Sequence, residues 1–197
     1  LELSHLARPG RYSAPPLLYL LVIASIPLMV VGFLVSTVMQ DLTRSIEVIG
    51  WATILFGVLL GFSDRMGMTL TRFQHMKYFD AFLIGLAQIL ALIPGASRAG
   101  VTITAARFLG YERASAARFS LLLAIPAILG ASVLKGLDIF FSENANLGID
   151  FLIAAGISFC AALASISIMM KWLNRAGFMP FVAYRIIVGA LLLAWVY

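Results

Sequence analysis

The sequence predicts an all-α, polytopic membrane protein with about five transmembrane helices and one re-entrant helical hairpin. Three observations carry this. The first is composition: 62% of the 197 residues are hydrophobic, 12% are charged, and mean hydropathy is +1.01. A soluble domain has no interior large enough to hide that much apolar surface. The second is the spacing of apolar stretches, five of which approach the roughly 20 residues needed to cross a bilayer. The third is the stretch from Ile93 to Thr102, IPGASRAGVT, which sets a Pro-Gly break, two hydroxyls and an arginine between two apolar arms.

The elements follow in order. The first span is read over 16–38, with Pro27 expected to break it and Gly32 after it; the second is 46–63. The hairpin, 78–109, comes next. Its arms, 81–93 and 101–109, are each too short to span. The later spans are 119–134, where Pro126 and Gly130 echo Pro27 and Gly32, then 151–170 and 180–197. The whole of 1–197 is read as one membrane domain.

Charge supports the same path. Ten of the 14 Lys and Arg fall in residues 1–15, 64–80, 107–118 and 171–178. The loops 39–47 and 135–150 carry only Arg44 and Lys135 against Asp41, Glu47, Asp138, Glu143 and Asp150. Cytoplasmic loops are the cationic ones, so residues 1–15 are placed in the cytoplasm and Tyr197 outside. The cationic loops that flank 78–109 must share a side, which a hairpin allows and a spanning helix does not. Cations distributed by loop are a topology signal, so the net charge of +5 does not indicate nucleic acid. Cys160, the single cysteine, lies in an apolar segment, so no intrachain disulfide forms. No signal peptide is visible in residues 1–15.

The chemistry is expected at the tip. Backbone that is not helical survives at membrane depth only where it is buried in protein or lines a wet cavity. Pro94-Gly95 ends the first arm, and small residues at Gly95, Ala96 and Ala99 let a ligand come near the backbone. The second arm begins just past the tip, so its N-terminal dipole end attracts an anion. Arg98 adds a planar fork suited to phosphate oxygens. A guanidinium at depth without a carboxylate is a functional-site hypothesis by default. Arg98 and Ser97 are therefore the candidates for catalysis. Gly95, Gly100, Thr102 and Gln88 are the candidates for contact with the substrate, a phosphate on a lipid-soluble molecule. Arg185, the other cation within an apolar segment, is expected to snorkel to the cytoplasmic headgroups. His5 and His75 lie in loops, and Glu112-Arg113 is read as a solvated turn.

These residues resemble the bacitracin-resistance family of undecaprenyl-diphosphate phosphatases. The family signature PGxSRSxxT is matched by Pro94-Gly-Ala-Ser-Arg-Ala-Gly-Val-Thr102. The approach Gly85-Leu-Ala-Gln-Ile-Leu-Ala-Leu92, the segment Phe119-Ser-Leu-Leu-Leu-Ala-Ile-Pro126 and the terminal Phe178-Met-Pro-Phe-Val-Ala-Tyr-Arg-Ile-Ile-Val-Gly189 fit in the same order. The resemblance implies release of phosphate from undecaprenyl diphosphate, an isoprenyl diphosphate lipid, in the bacterial inner membrane. That reaction recycles the carrier lipid of peptidoglycan synthesis. It implies six spans and two inverted hairpins, with 1–77 the remainder of a first repeat and 78–197 the second. It implies Mg²⁺ or Ca²⁺, held by carboxylates of a first hairpin that also brings a hydroxyl and a histidine. This sequence departs from the pattern twice. Ala99 stands where the signature has its second serine, and nothing matches the first hairpin's glutamate pair or histidine tip. The chain alone is therefore expected to bind phosphate without hydrolysing the diphosphate. The rival from another class is a transporter or flippase of a phosphorylated lipid, since broken helices meeting at the midplane also build transporters.

Overall fold

A computed structural model describes residues 16–35, 45–67, 71–140, 149–173 and 176–197. The described residues form α1 (Leu17–Val35), α2 (Ile46–Met66), α3 (Tyr78–Gln88), α4 (Arg98–Phe108), α5 (Arg113–Phe140), α6 (Ile149–Leu173) and α7 (Met179–Val196). Short 3₁₀ turns stand at Phe73–His75 and Ile89–Leu92. The helices α1, α2, α5, α6 and α7 are long and apolar enough to cross a membrane, so the chain is a multi-pass membrane protein.

The two intervening helices form the hairpin. α3 and α4 have 11 residues each, about 16 Å apiece against a hydrocarbon core of ~30 Å. The hairpin starts and finishes at one rim, because its flanks are bonded to each other. Thr71 and Tyr111 form a parallel bridge, in which the Thr71 amide donates to the Gly110 carbonyl and the Glu112 amide to the Thr71 carbonyl. The Phe73 amide donates to Ser115 Oγ at 3.1 Å, and Arg72 pairs with Glu112 at 3.3 Å.

Close backbone approach sets the packing. α2 lies along α7, where a Cβ on Gly189 would stand 2.6 Å from Ile54 Cγ1. α1 lies against α3, where a Cβ on Gly85 would meet the Ala24 carbonyl oxygen at 2.4 Å. Small residues are the usual means by which membrane helices come this near. The core gathers Leu20, Ile84, Ile103, Phe119, Leu123 and Phe178. By contrast, every residue of α6 from 153 to 168 is exposed, Cys160 among them.

The structure corrects several expectations. Pro27 and Pro126 do not break their spans, since α1 and α5 run through them. In an apolar medium no water competes for the carbonyls that proline frees, and neighbouring groups take them up. α5 starts at Arg113, six residues before the expected 119, because Ala-rich 113–118 propagates the helix into the rim.

Arg107 and Arg113 are not solvated loop charges. Arg107 is 1% exposed; it donates to the Tyr111 carbonyl at 2.6 Å and to the Asp64 and Gly67 carbonyls at 3.1 and 2.9 Å. Its Nε lies 3.5 Å from Asp64 Oδ1, to which Arg113 Nε donates at 2.6 Å. Asp64 Oδ2 accepts from the Phe178 amide at 3.2 Å. This knot fastens the end of α2, the end of the hairpin and the start of α7 at a single rim. Nearby, Tyr111 donates to Asp80 Oδ2 at 2.6 Å, and burial followed by this bond pushes its phenol well above the usual range. The cationic N-terminal loop 1–15 and most of the acidic loops lie outside the described residues.

Candidate functional site

The tip is a short turn between the Ile89–Leu92 helical turn and α4. Gly95 takes φ +88°. A Cβ there would sit 2.4 Å from the Ile49 carbonyl oxygen and 2.9 Å from Thr53 Oγ1. The slimness expected to admit a ligand is thus used by α2, whose Thr53 hydroxyl also donates to the Gly95 carbonyl at 3.3 Å. Ser97 caps α4, with Oγ accepting from the Gly100 amide at 3.3 Å. It does so at φ 61°, ψ 108°, and among the described residues it is the one non-glycine residue with positive φ. Such a backbone costs on the order of 1–3 kcal/mol, and strain of this kind concentrates at functional sites.

Ser97, Ala99 and Gly100 line one wall of a cavity of about 200 Å³. Arg185 stands at the same end, with Nη1 3.5 Å from where a Gly100 Cβ would be. The remaining wall is apolar: Leu60, Ile103, Met169, Phe178 and Phe181, with Tyr184. A cationic, hydroxyl-bearing end joined to an apolar trough suits an amphiphile with an anionic head.

Arg185 does not snorkel. Its Nη2 donates to the Gly95 and Ala96 carbonyls at 2.8 and 3.1 Å, tying α7 to the tip. The sequence did hold a signal: a cation about 9 Å inside α7, at 1.5 Å per residue, with no acid within the same apolar stretch.

Arg98 takes the other side. It does not line the cavity. Its Nε donates to Gln88 Oε1 at 3.1 Å and its Nη2 to the Leu123 carbonyl of α5 at 2.6 Å. Leu123 adjoins Leu122, whose carbonyl loses its helical partner because Pro126 has no N–H. Gln88 is fully buried, and its Nε2 has no hydrogen-bond partner. Thr102 is 1% exposed and spent within the protein, bonded to Ser120 Oγ at 2.6 Å and to the carbonyls of Arg98 and Ala99. Ser120 escaped sequence reasoning, because a serine in an apolar helix is usually satisfied by its own carbonyls.

The tip thus carries two guanidinium groups, from Arg98 and Arg185, held by carbonyl and amide oxygens. Among the described residues no ion pair reaches either one. Among the described residues no three His, Cys, Asp or Glu gather as metal ligands. Asp64 and Asp80 are engaged with the rim arginines and Tyr111. The described side chains therefore do not form a Mg²⁺ or Ca²⁺ site. No Asp, Glu or His lines the cavity to take a proton from Ser97. The arrangement can grip an anion and seat an apolar chain beside it.

Comparison with known proteins gives the family. The family model described as "Bacitracin resistance protein BacA" matches residues 5–191. Undecaprenyl-diphosphatase 1 of Rhodospirillum rubrum is 48% identical over 182 residues, which cover 92% of this chain and 64% of that protein. The undecaprenyl-diphosphatase of a Jannaschia species is 44% identical, covering 95% and 72%. That of Roseobacter denitrificans is 42% identical, covering 90% and 67%. The chain thus spans about two thirds of the length of these relatives.

Proposed function

We propose, on the premise that this chain belongs to the bacitracin resistance BacA family, that it is the phosphate-binding part of an enzyme releasing phosphate from undecaprenyl diphosphate. The observation that carries the reading is the cavity with Arg185, Ser97 and Gly100 at one end and an apolar wall at the other. The head of an isoprenyl diphosphate fits the first and its chain the second. The N-terminal end of α4 and the Arg185 guanidinium would hold the terminal phosphate oxygens, where charge redistributes as the phosphoanhydride bond breaks and water supplies the new oxygen. Arg98 would add positive potential from the far side of the tip while fixing it to α3 and α5.

Mg²⁺ or Ca²⁺ does not fit the carboxylates described, so its ligands, with the general base, are proposed to lie in the third of the relatives' length that this chain does not match. A bacterial inner-membrane location and a role in recycling the peptidoglycan carrier lipid follow from the same reading. The relatives' names do not favour the transporter alternative.

Two assays test this. The purified 197-residue chain should bind inorganic pyrophosphate and release no phosphate from undecaprenyl diphosphate, with or without Mg²⁺ or Ca²⁺. A chimera supplying the first hairpin from a full-length relative should release phosphate. Turnover by the chain alone, abolished by Ser97→Ala, overturns the division of labour. Absence of pyrophosphate binding overturns the site.

A further inference from the structure

The cavity at the tip adjoins a second space. A cleft of about 380 Å³ lies between α6 and α7, walled by Ser165, Ile168, Met169 and Trp172 from α6 and by Pro180 and Phe181 from α7. Positions 165, 168, 169 and 172 are spaced to share one face of a helix. Met169 and Phe181 also line the tip cavity, so the two spaces meet at those side chains. Both helices reach the rim, where α6 finishes at Leu173 and α7 starts at Met179. At 1.5 Å per residue, Ser165 lies about 12 Å from that end of α6 and Arg185 about 9 Å from that end of α7. The cleft therefore reaches the depth of the arginine. On its rim side Trp172 Nε1 donates to the Gly177 carbonyl at 3.3 Å, which fixes the indole across the connection to α7. At its deep end Ser165 and Ile168 are exposed, so the cleft opens sideways on a spanning helix.

We propose that this cleft seats the isoprenyl chain, which leaves the tip cavity past Met169 and Phe181 and enters the bilayer sideways between α6 and α7. The inference rests on the reading of the tip cavity as the diphosphate site. Size requires an exit. The tip cavity holds about 200 Å³, less than the roughly 300–1,000 Å³ that encloses a drug-sized ligand. It takes a head group and the start of a chain, and the rest must go elsewhere. Charge selects the occupant. No charged side chain lines the cleft, so nothing in it holds a phospholipid headgroup. The guanidinium that an amphiphile in the cleft can reach is Arg185, on the other side of Met169 and Phe181. Lipid tails are as apolar as these walls, so moving a chain from bilayer to cleft gains little by itself. The arginine holds the head, and the cleft sets the direction in which the chain leaves.

Photolabelling tests it on the 197-residue chain in phosphatidylcholine nanodiscs. The probe is farnesyl diphosphate with a diazirine on its last isoprene unit, and labelled residues are read by mass spectrometry. Label should fall within 165–172 and on Pro180 and Phe181. Inorganic pyrophosphate at about 100 times its Kd should cut that label roughly 100-fold, by occupying the head site. Ser165→Trp, which fills the cleft from its exposed end, should remove the label from α6. Its binding of pyrophosphate, measured calorimetrically, should stay within about twofold of the parent, ~0.4 kcal/mol. Ser165→Ala should keep both label and binding. Label on α1, α2 or α5 that pyrophosphate displaces overturns the path and leaves the head site standing. Label on α6 that pyrophosphate does not displace means a groove unconnected with the tip, and overturns the path as well. Absence of pyrophosphate binding in the parent chain overturns the head site, and this inference with it.

Discussion

Two regions of this molecule each hold a pair of arginines, and they treat them oppositely. At the rim, Arg107 and Arg113 close on the carboxylate of Asp64, with an additional bond from the Phe178 amide. At the tip, Arg98 and Arg185 are oriented by Gln88 and by the carbonyls of Leu123, Gly95 and Ala96. Carbonyls orient a guanidinium without cancelling its charge. The rim is a fastening whose charge is spent inside the protein. The tip keeps its charge uncancelled, which is what the proposed phosphate site requires. Removing a carboxylate should therefore damage folding at the rim, and removing an arginine should damage binding at the tip.

The largest expected effect breaks the rim. Asp64→Ala leaves Arg107 buried and unpaired, which should cost about 3–5 kcal/mol in unfolding of the purified chain in detergent. Arg113→Gln should cost less than ~1 kcal/mol, since that side chain is 42% exposed. If the two variants unfold alike, the rim is not a closed charge knot and the contrast with the tip fails.

Arg185→Met should reverse the pattern. In the chimera that supplies the first hairpin, phosphate release should fall by about 100-fold, ~2.7 kcal/mol, as when one donor to developing charge is lost. Stability should move by less than ~1 kcal/mol, because the uncompensated charge goes as its hydrogen bonds go. Activity within about twofold of the parent, ~0.4 kcal/mol, shows that Arg185 only braces the tip. Arg98→Lys in the same chimera sharpens the division between the two arginines. A large loss there means that Arg98 also senses the phosphate, through a planar fork that lysine lacks.

Gly95→Ala strains a left-handed residue by roughly 1–2 kcal/mol and drives a Cβ to 2.4 Å from the Ile49 carbonyl. It should lower stability by at least that much, read from the same unfolding curve. Gly100→Ala meets nothing nearer than 3.3 Å. It should leave stability almost unchanged while weakening pyrophosphate binding, measured calorimetrically. Equal losses from both would mean that the tip is packing and nothing more.

The smallest effects concern Ser97. Ser97→Ala should cost about 1 kcal/mol through the lost cap, and Ser97→Gly only a few tenths, because glycine tolerates both the cap position and the positive φ. If the hydroxyl takes part in the chemistry, the two variants should lose the chimera's activity equally despite their different stabilities.

Hydropathy and loop charge made the five spans and the hairpin legible, because both are properties of single segments. Pairwise properties were less visible. Arg107 counts as a loop cation by position, yet Asp64 comes from a helix end 43 residues away. Arg185 reads as a snorkelling residue until α2 and the tip are placed beside it, with Gly57 making room for its Cβ at 3.1 Å. Arg98, Ser97 and Gly100 were read as one site from their adjacency. A helix turns 100° per residue, so Arg98 faces α3 and α5 while Ser97 and Gly100 face the cavity. The signature located the tip, and the rotation about α4 divided its residues between those that brace it and those that line the cavity.

The bridge between Thr71 and Tyr111 has a consequence for biogenesis. The polypeptide between them reaches no far side, so the insertion machinery has nothing to carry across for residues 78–109. Each 11-residue arm is too short to be released into lipid as an ordinary span. The bridge joins the segment that follows α2 to the one that leads into α5. Placement of the hairpin should therefore follow insertion of the helices around it. A tip rich in polar groups can then enter the bilayer without ever facing lipid alone.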